Sequence, residues 1–484
     1  MVFTSSLFLF VFFPLCLGGY WLTVGLQRAV PRLQRLRFPD WFLVAASLAF
    51  YGWTAVDGIG WLVGYILLVY LLGRVIVQVS EKTQAGLLAV LSSVLVVTLT
   101  LLYCKYYNFA VSSLNQLLSV GISSKSIVAP LGISFITFSA VSYFVDLYRR
   151  DRAPGTLLDT ALYLSFFPKV ISGPIAQWKD FAPFANGNAR RVDSERMLWG
   201  IDRILIGLGK KLILADVFGA QLAEMQRSFA NGMDQPSAWG AALLYMLQIY
   251  YDFSGYSDLA LGLSALFGIE LNENFHFPYL SQSITEFWRR WHISLGSWFR
   301  EYLYIPLGGN RKGRERTLLN LFLVFLVTGI WHGAGWNYIL WGVINGLLIV
   351  GERCVRKKKW YRRIPAVLKW AATMLAVLLN WQVFRLGSLS EISRFFGLMF
   401  GWVKDSQINF TWQYYFDLRI VVLMLIGAVG ATCLGQSWAK ALAQRFRRSK
   451  LLFCLEQMIL MGIGILAVMC MVNSTYSPLL YFQY

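Results

Sequence analysis

Apolar runs of about 20 residues, separated by short basic linkers, limit what this chain can become more than any other feature. Gly86–Tyr103 and Val128–Tyr148 are such runs, and others lie at Met1–Gln27, Trp41–Ala55 and Trp61–Val79. The chain cannot bury them all in a core of its own. It has 484 residues, 57% hydrophobic and only 14% charged, with a mean hydropathy of +0.53. Soluble domains carry about 25% charged residues, and single cores stop growing near ~250–300 residues. A soluble enzyme, a disordered chain and a secreted disulfide scaffold are excluded. What remains is an all-α, polytopic integral membrane protein.

The charges set its topology. Lys and Arg number 44 against 25 acids, a net +19. That excess would suit nucleic acid, but the bases cluster in short links between apolar runs, as cytoplasmic membrane loops do. No nucleic-acid partner is expected; the lipid bilayer is the partner that composition implies. The six cysteines show no CxxC spacing and read as small buried hydrophobes rather than a bridge framework or metal site. The first run lacks a basic leader and a small-residue cleavage site, so it reads as a span, not a signal peptide. Counting Lys and Arg places the amino terminus outside and Arg28–Arg37, Arg149–Arg152, Arg311–Arg316, Arg353–Arg363 and Lys440–Lys450 in the cytoplasm. Later spans are expected near Val367–Val383, Ile420–Cys433 and Leu455–Met471, with an outer loop near Asp405–Asp417. No internal repeat or flexible linker appears. Residues 1–484 read as a single membrane domain of roughly ten crossings.

Two runs break the alternation. Leu157–Ala176 is apolar enough to cross, yet basic residues follow as if the chain had stayed inside, and Pro168, Lys169, Gly173 and Pro174 interrupt it. Non-helical backbone at membrane depth is tolerated only against protein or a water-filled cavity, so a re-entrant segment is expected, with a proline-kinked span as the alternative. Thr317–Glu352 lies between two cytoplasmic clusters and is broken at Trp331–Asn337. It reads as a hairpin with arms of ~15 residues, or ~22 Å. Such arms would hold the tip, with His332, deep in the bilayer without reaching the far side.

Only three histidines exist. His332 sits among Gly329, Gly333 and Gly335, where glycines leave room for a turn and a close approach. Imidazole suits proton transfer near neutral pH, and an intramembrane ionisable group is functional by default. His332 is therefore the leading catalytic candidate, against a structural role in the break. His292 is the second, in Trp288-Arg289-Arg290-Trp291-His292. Arg289 and Arg290 are weaker candidates for holding an anionic ligand, and an interfacial anchor explains them equally well. His276, before Pro278, reads as structural. Asp252 and Asp258 are candidates for orienting a histidine or relaying a proton, or for capping a helix that starts near Ser254. No phosphate-binding loop or nucleophile elbow occurs, and no metal is expected.

The run from Tyr250 to Gly351 resembles the membrane-bound O-acyltransferases, in the bacterial branch that acts on extracellular polymers. The matching pieces are Tyr251 to Asp258, Asn274 to Pro278, Phe287 to Leu295, Phe299 to Tyr304 and Trp331 to Ala334. Weaker likeness covers nearly the whole chain. The block Tyr304-Ile305-Pro306-Leu307-Gly308-Gly309-Asn310-Arg311 favours the alginate-acetylation type over the teichoic-acid D-alanylation type. The resemblance implies a helical bundle around a central tunnel, with the family's catalytic histidine at His332 and a second essential histidine at His292. It implies an acyl group, expected to be acetyl, carried as a thioester such as acetyl-CoA on the cytoplasmic side. The group would be delivered to a hydroxyl of a polysaccharide such as alginate outside a bacterial inner membrane. No tightly bound cofactor is implied, and an extracytoplasmic acetyltransferase or carrier protein is the implied partner. D-alanyl transfer to teichoic acid is the alternative within the family. A transporter or flippase without chemistry is the alternative outside it.

Overall fold

A computed structural model describes residues 2–79, 83–187, 189–229, 232–405, 408–432 and 450–473. Lys82, Cys433 and all but the last residue of the basic run Lys440–Lys450 lie outside the described residues. Among the described residues every regular element is helical. Phe275 and Trp291 form one isolated antiparallel bridge.

The packing divides into two compact units. The first comprises Met1–Ile204 with Tyr256–Glu273. It holds α1 (Phe13–Ala29, continuing a π-helical turn at Phe8–Phe12), α2 (Phe38–Thr54), α3 (Gly58–Gln78), α4 (Gln84–Leu118) and α5 (Ile133–Arg149). α6 (Leu157–Ser165), α7 (Trp178–Ala185) and most of α8 (Ser194–Leu208) complete it. The first five apolar runs of the sequence thus land on α1 to α5. α4 extends 35 residues, about 52 Å, because its polar tail keeps a helical pattern past Tyr103. Phe3, Phe8, Phe50 and Phe167 pack together as the aromatic centre of this unit.

The expected re-entrant segment is a broken, buried stretch rather than a kinked span. α6 is nine residues long, about 13 Å, too short to cross. Thr156 and Asp159 cap its start reciprocally. After Phe166 only a single turn, Phe167–Val170, is helical. A side chain at Gly173 would come within 2.5 Å of the Lys169 Cα and the Pro168 carbonyl, so the backbone folds back tightly on itself there. Lys169 is buried beneath it, donating to Ser139 Oγ at 3.2 Å over the Tyr163 ring.

The second unit comprises Leu205–Gly255 with Asn274–Tyr484. Its helices are α9 (Asp216–Phe229), most of α10 (Gln235–Leu266), α11 (Ile284–Arg290), α12 (Ile293–Phe299), α13 (Gly313–His332) and α14 (Trp336–Val355). They continue with α15 (Ala366–Arg385), α16 (Leu389–Met399), α17 (Leu418–Gly430) and α18 (Lys450–Asn473). Its core is built on Trp291, Trp341, Trp381, Phe287 and Phe384.

Among the described residues six helices are long and apolar enough to cross a membrane: the first, from Phe8 to Ala29, and α3, α4, α14, α15 and α18. α2 and α5, at 17 residues each, and α17, at 13, are apolar but shorter. The chain is a multi-pass, all-α membrane protein.

Two expectations need correction. The hairpin arms are 20 residues each, about 30 Å, because α13 begins in the charged turn at Gly313 and α14 runs on to Val355. Arms of that length reach across a bilayer core, so arm length does not hold His332 at mid-depth. α10 passes without interruption through Ser254, so Asp252 and Asp258 cap no helix there.

Candidate active site

His332 closes α13 at the point where the hairpin turns. The break Gly333–Gly335 is extended backbone, φ −172° and −159° at its two glycines, which any residue adopts. These glycines serve space rather than twist. A side chain at Gly333 would collide with the Tyr338 ring, and one at Gly335 would meet Asn337 Oδ1. The two arms also touch directly: a Cβ on Gly342 would lie 2.7 Å from the Phe325 carbonyl and 3.0 Å from the Gly329 Cα. Small residues at such a contact let helix backbones approach within a membrane.

The imidazole itself is buried, 4% exposed. Trp331, Trp341 and Phe384 surround it at 4.8, 5.0 and 5.1 Å between ring centres, the last two edge-on. Asn337 fixes the wall by donating to the Phe384 carbonyl at 3.3 Å. The result is an ionisable ring in an aromatic box.

His292 is placed by a different device. Its backbone is left-handed, φ 46°, a conformation costly for a non-glycine residue, and it directly precedes α12. Asn274–His276 pairs with Arg290–Ile293 to hold that turn: His276 N–H donates to the Arg290 carbonyl and Ile293 N–H to the Asn274 carbonyl, both at 3.0 Å. The side chain of Asn274, fully buried, receives Ser294 Oγ–H at 2.6 Å and Ser294 N–H at 3.3 Å on its Oδ1. His292 Nδ1 lies 3.3 Å from the same oxygen. Because Oδ1 is an acceptor, Nδ1 carries the hydrogen and Nε2 is left as the basic nitrogen. The Phe253 ring packs edge-on at 4.6 Å. His292 lies outside the six spanning helices, and burial pushes its pKa down to about 3, so it is neutral at pH 7.

His292 also lines a chamber of about 390 Å³ between α11, α12, α13 and α14. Its interior is apolar and aromatic, from Trp288, Trp291, Phe325 and Ile349, with Thr328 one helical turn before His332. Among the described residues three arginines line it, Arg289, Arg300 and Arg353, and no carboxylate does. Trp288 stands between this chamber and the box of His332, meeting Trp341 edge-on at 5.6 Å.

The paired arginines separate here. Arg289 is exposed and lines the chamber. Arg290 binds Glu286 at 2.8 Å and donates to the His276 carbonyl at 3.2 Å, which makes it a brace for the His292 turn. His276 is exposed and contributes backbone to that turn. The two aspartates of α10 are held by cations: Asp252 by Lys211 at 2.6 Å, and Asp258 by Arg203. Sequence reasoning missed Asn274, Ser294, Arg300 and Arg353 as site residues. Asn274 lies 18 residues from His292, and only the backbone bridge reveals the link.

The sequence model of the membrane-bound O-acyltransferase family matches residues 48–390, which include the hairpin, both histidines and the chamber. The chain belongs to the membrane-bound O-acyltransferase family. It is an acyltransferase, and a transporter without chemistry is set aside. It is 40% identical over 83% of its length to the Pseudomonas putida protein named "Probable alginate O-acetylase AlgI", covering 80% of that protein. It is 34% identical over 81% of its length to the peptidoglycan O-acetyltransferase of Helicobacter pylori, covering 78% of it. Likeness to the teichoic acid D-alanyltransferase of Streptococcus thermophilus is 33% over 49% of this chain and 60% of that protein.

Proposed function

We propose that the chain passes an acetyl group from a cytoplasmic thioester, such as acetyl-CoA, toward the hydroxyls of a polysaccharide outside the inner membrane of a bacterium. The observation that carries this reading is the arginine-lined chamber at His292, whose Trp288 wall packs against the aromatic box of His332. Its volume is near the low end for small-molecule sites. It suits a thin acyl-thioester arm, with phosphates held among Arg289, Arg300 and Arg353. Family membership and the names of the acetylating relatives support an O-acetyl product and a polysaccharide acceptor. The matched residues draw on both units, which supports one functional membrane domain.

In this reading His332 is the general base. The acceptor hydroxyl attacks the thioester carbonyl as its proton passes to the imidazole. The C–S bond then breaks, and the proton returns to the leaving thiolate, giving an ester and a free thiol. His292, neutral and oriented by Asn274, positions the thioester end of the donor. The acceptor at this step is either the polymer itself or a hydroxyl of an extracytoplasmic carrier protein that completes the transfer.

Mass spectrometry of extracellular polymer from cells with and without the chain tests the reading. Loss of ester-linked acetyl groups on deletion supports it. Loss of ester-linked alanine assigns the chain to D-alanyl transfer instead, and an unchanged polymer contradicts both.

A further inference from the structure

We infer that the pocket at the basic end of α1 holds the head group of an anionic phospholipid. It measures about 360 Å³, lies wholly within the first unit and includes neither His292 nor His332. Its walls are the second half of α1, the start of α2 and the segment that follows α7. The helix from Phe8 to Ala29 is long and apolar enough to cross a bilayer, so Arg28, in its last turn, comes to the membrane surface. By the Lys/Arg bias of short loops, that surface is the cytoplasmic one.

One cation of the pocket is open. Among the described residues three arginines line it, Arg28, Arg37 and Arg190, against one carboxylate, Asp40. Asp40 is fully engaged by two of them: Arg37 Nε donates to Oδ2 at 2.6 Å, and Arg190 Nη1 binds Oδ1. Arg37 also binds Asp159 at 2.6 Å. Arg28 is exposed, and its side chain makes no hydrogen bond or ion pair among the described residues. Gln27, also lining the pocket, makes no hydrogen bond among them either. Its Oε1 is shielded, which leaves the amide Nε2 as the open end. A guanidinium and an amide N–H on one helical turn suit the oxygens of a phosphate. The ammonium of a zwitterionic head group finds no free carboxylate here, because Asp40 already serves two arginines. A head group with net negative charge is therefore favoured.

Toward the membrane interior the pocket turns apolar. Trp21 and Val24 line it, about 10 and 6 Å deeper along the helix than Arg28. Beside that wall Gly18 and Gly25 open a shallow strip, where a Cβ on either would meet nothing within 4 Å. At 3.6 residues per turn the two glycines fall between Trp21 and the exposed Leu15, Leu22 and Leu26. A phosphate at the basic end with acyl chains along this strip is the layout of a phospholipid. A soluble phosphate matches only the polar half.

Native mass spectrometry of lipid binding to the delipidated full chain tests the site. The probes are dioctanoyl phosphatidylglycerol, dioctanoyl phosphatidylcholine and sn-glycerol 1-phosphate. For the first lipid bound, phosphatidylglycerol should bind about 5- to 10-fold more tightly than phosphatidylcholine, the range of one arginine at a membrane surface. Arg28→Gln, checked for an unchanged melting temperature, should erase that preference. Arg32→Gln removes an exposed charge from the same basic loop but outside the pocket, and should keep it. Equal affinity of the unaltered chain for the two lipids overturns the inference, whatever the variants do. A preference that survives in folded Arg28→Gln overturns it, as does one that falls equally in Arg32→Gln, which would mark diffuse attraction to the loop. Competition by glycerol phosphate at concentrations equal to the lipid would overturn the lipid assignment and give the pocket to a soluble phosphate.

Discussion

At the scale of single residues, the second histidine is the more instructive, because a buried amide decides which of its nitrogens is basic. Asn274 Oδ1 serves Ser294 and His292 together. Asn274→Ala removes the acceptor for all three groups, which costs about 1–3 kcal/mol where a buried donor is left unmet. Acyl transfer is expected to fall about tenfold or more as the His292 ring loses its orientation, read as kcat/KM beside a melting curve. Arg289 and Arg290 should diverge under the same pair of measurements. Arg289→Ala is expected to raise the donor KM with little loss of stability, because its side chain lines the chamber. Arg290→Ala is expected to lower the melting temperature first, because Arg290 braces the turn through Glu286 and the His276 carbonyl. Acid adds a further signature. The pKa of His292 is depressed in the folded chain, to about 3, against ~6.5 when unfolded. The unfolded chain therefore binds more protons between those values, and stability falls as pH drops below about 6.5. His292→Gln should flatten that part of the stability curve.

At the scale of elements, the α13–α14 hairpin depends on contact between two backbones. A Cβ at Gly342 already meets the Phe325 carbonyl and the Gly329 Cα, so Gly342→Ile must push the arms apart. Overpacking of this kind costs about 1–3 kcal/mol, visible as a lower melting temperature in detergent. Activity should fall with it, since α14 carries Trp341 of the His332 box. The hairpin itself was legible in the sequence, since apolar run, glycine break and flanking basic clusters all point to it. Its arm length was not, because helix continues into charged residues such as Arg314 and Arg316 that a hydropathy reading stops at. The break at Phe166–Gly173 was equally legible from Pro168 and Gly173. The α10 helix was not, because Asp252, Ser254 and Asp258 look like an interruption in one dimension. In three dimensions Lys211 and Arg203 satisfy the two carboxylates and the helix runs on. The chamber was beyond the sequence altogether: its arginines come from α11, from α14 and from the π-helical turn Arg300–Tyr304.

At the scale of the whole molecule, delivery of an acyl group across a membrane requires a sidedness. Arg28–Arg37, Arg311–Arg316 and Arg353–Arg363 should all face the cytoplasm. Cysteines placed in these loops should resist an impermeant thiol reagent applied to intact cells and react after permeabilisation. Labelling of any of the three in intact cells would contradict the cytoplasmic side proposed for the donor. The chemistry requires a base in the membrane domain, and His332 is the residue assigned that role. The direct measurement is transfer of labelled acetyl from a thioester donor by the purified chain, compared with His332→Gln at matched expression and melting temperature. Glutamine keeps hydrogen bonding but takes no proton at neutral pH. A loss of about 10²–10⁴ in rate is expected, with His276→Ala retaining most of the activity. Transfer by folded His332→Gln at near the parent rate would contradict the general-base assignment.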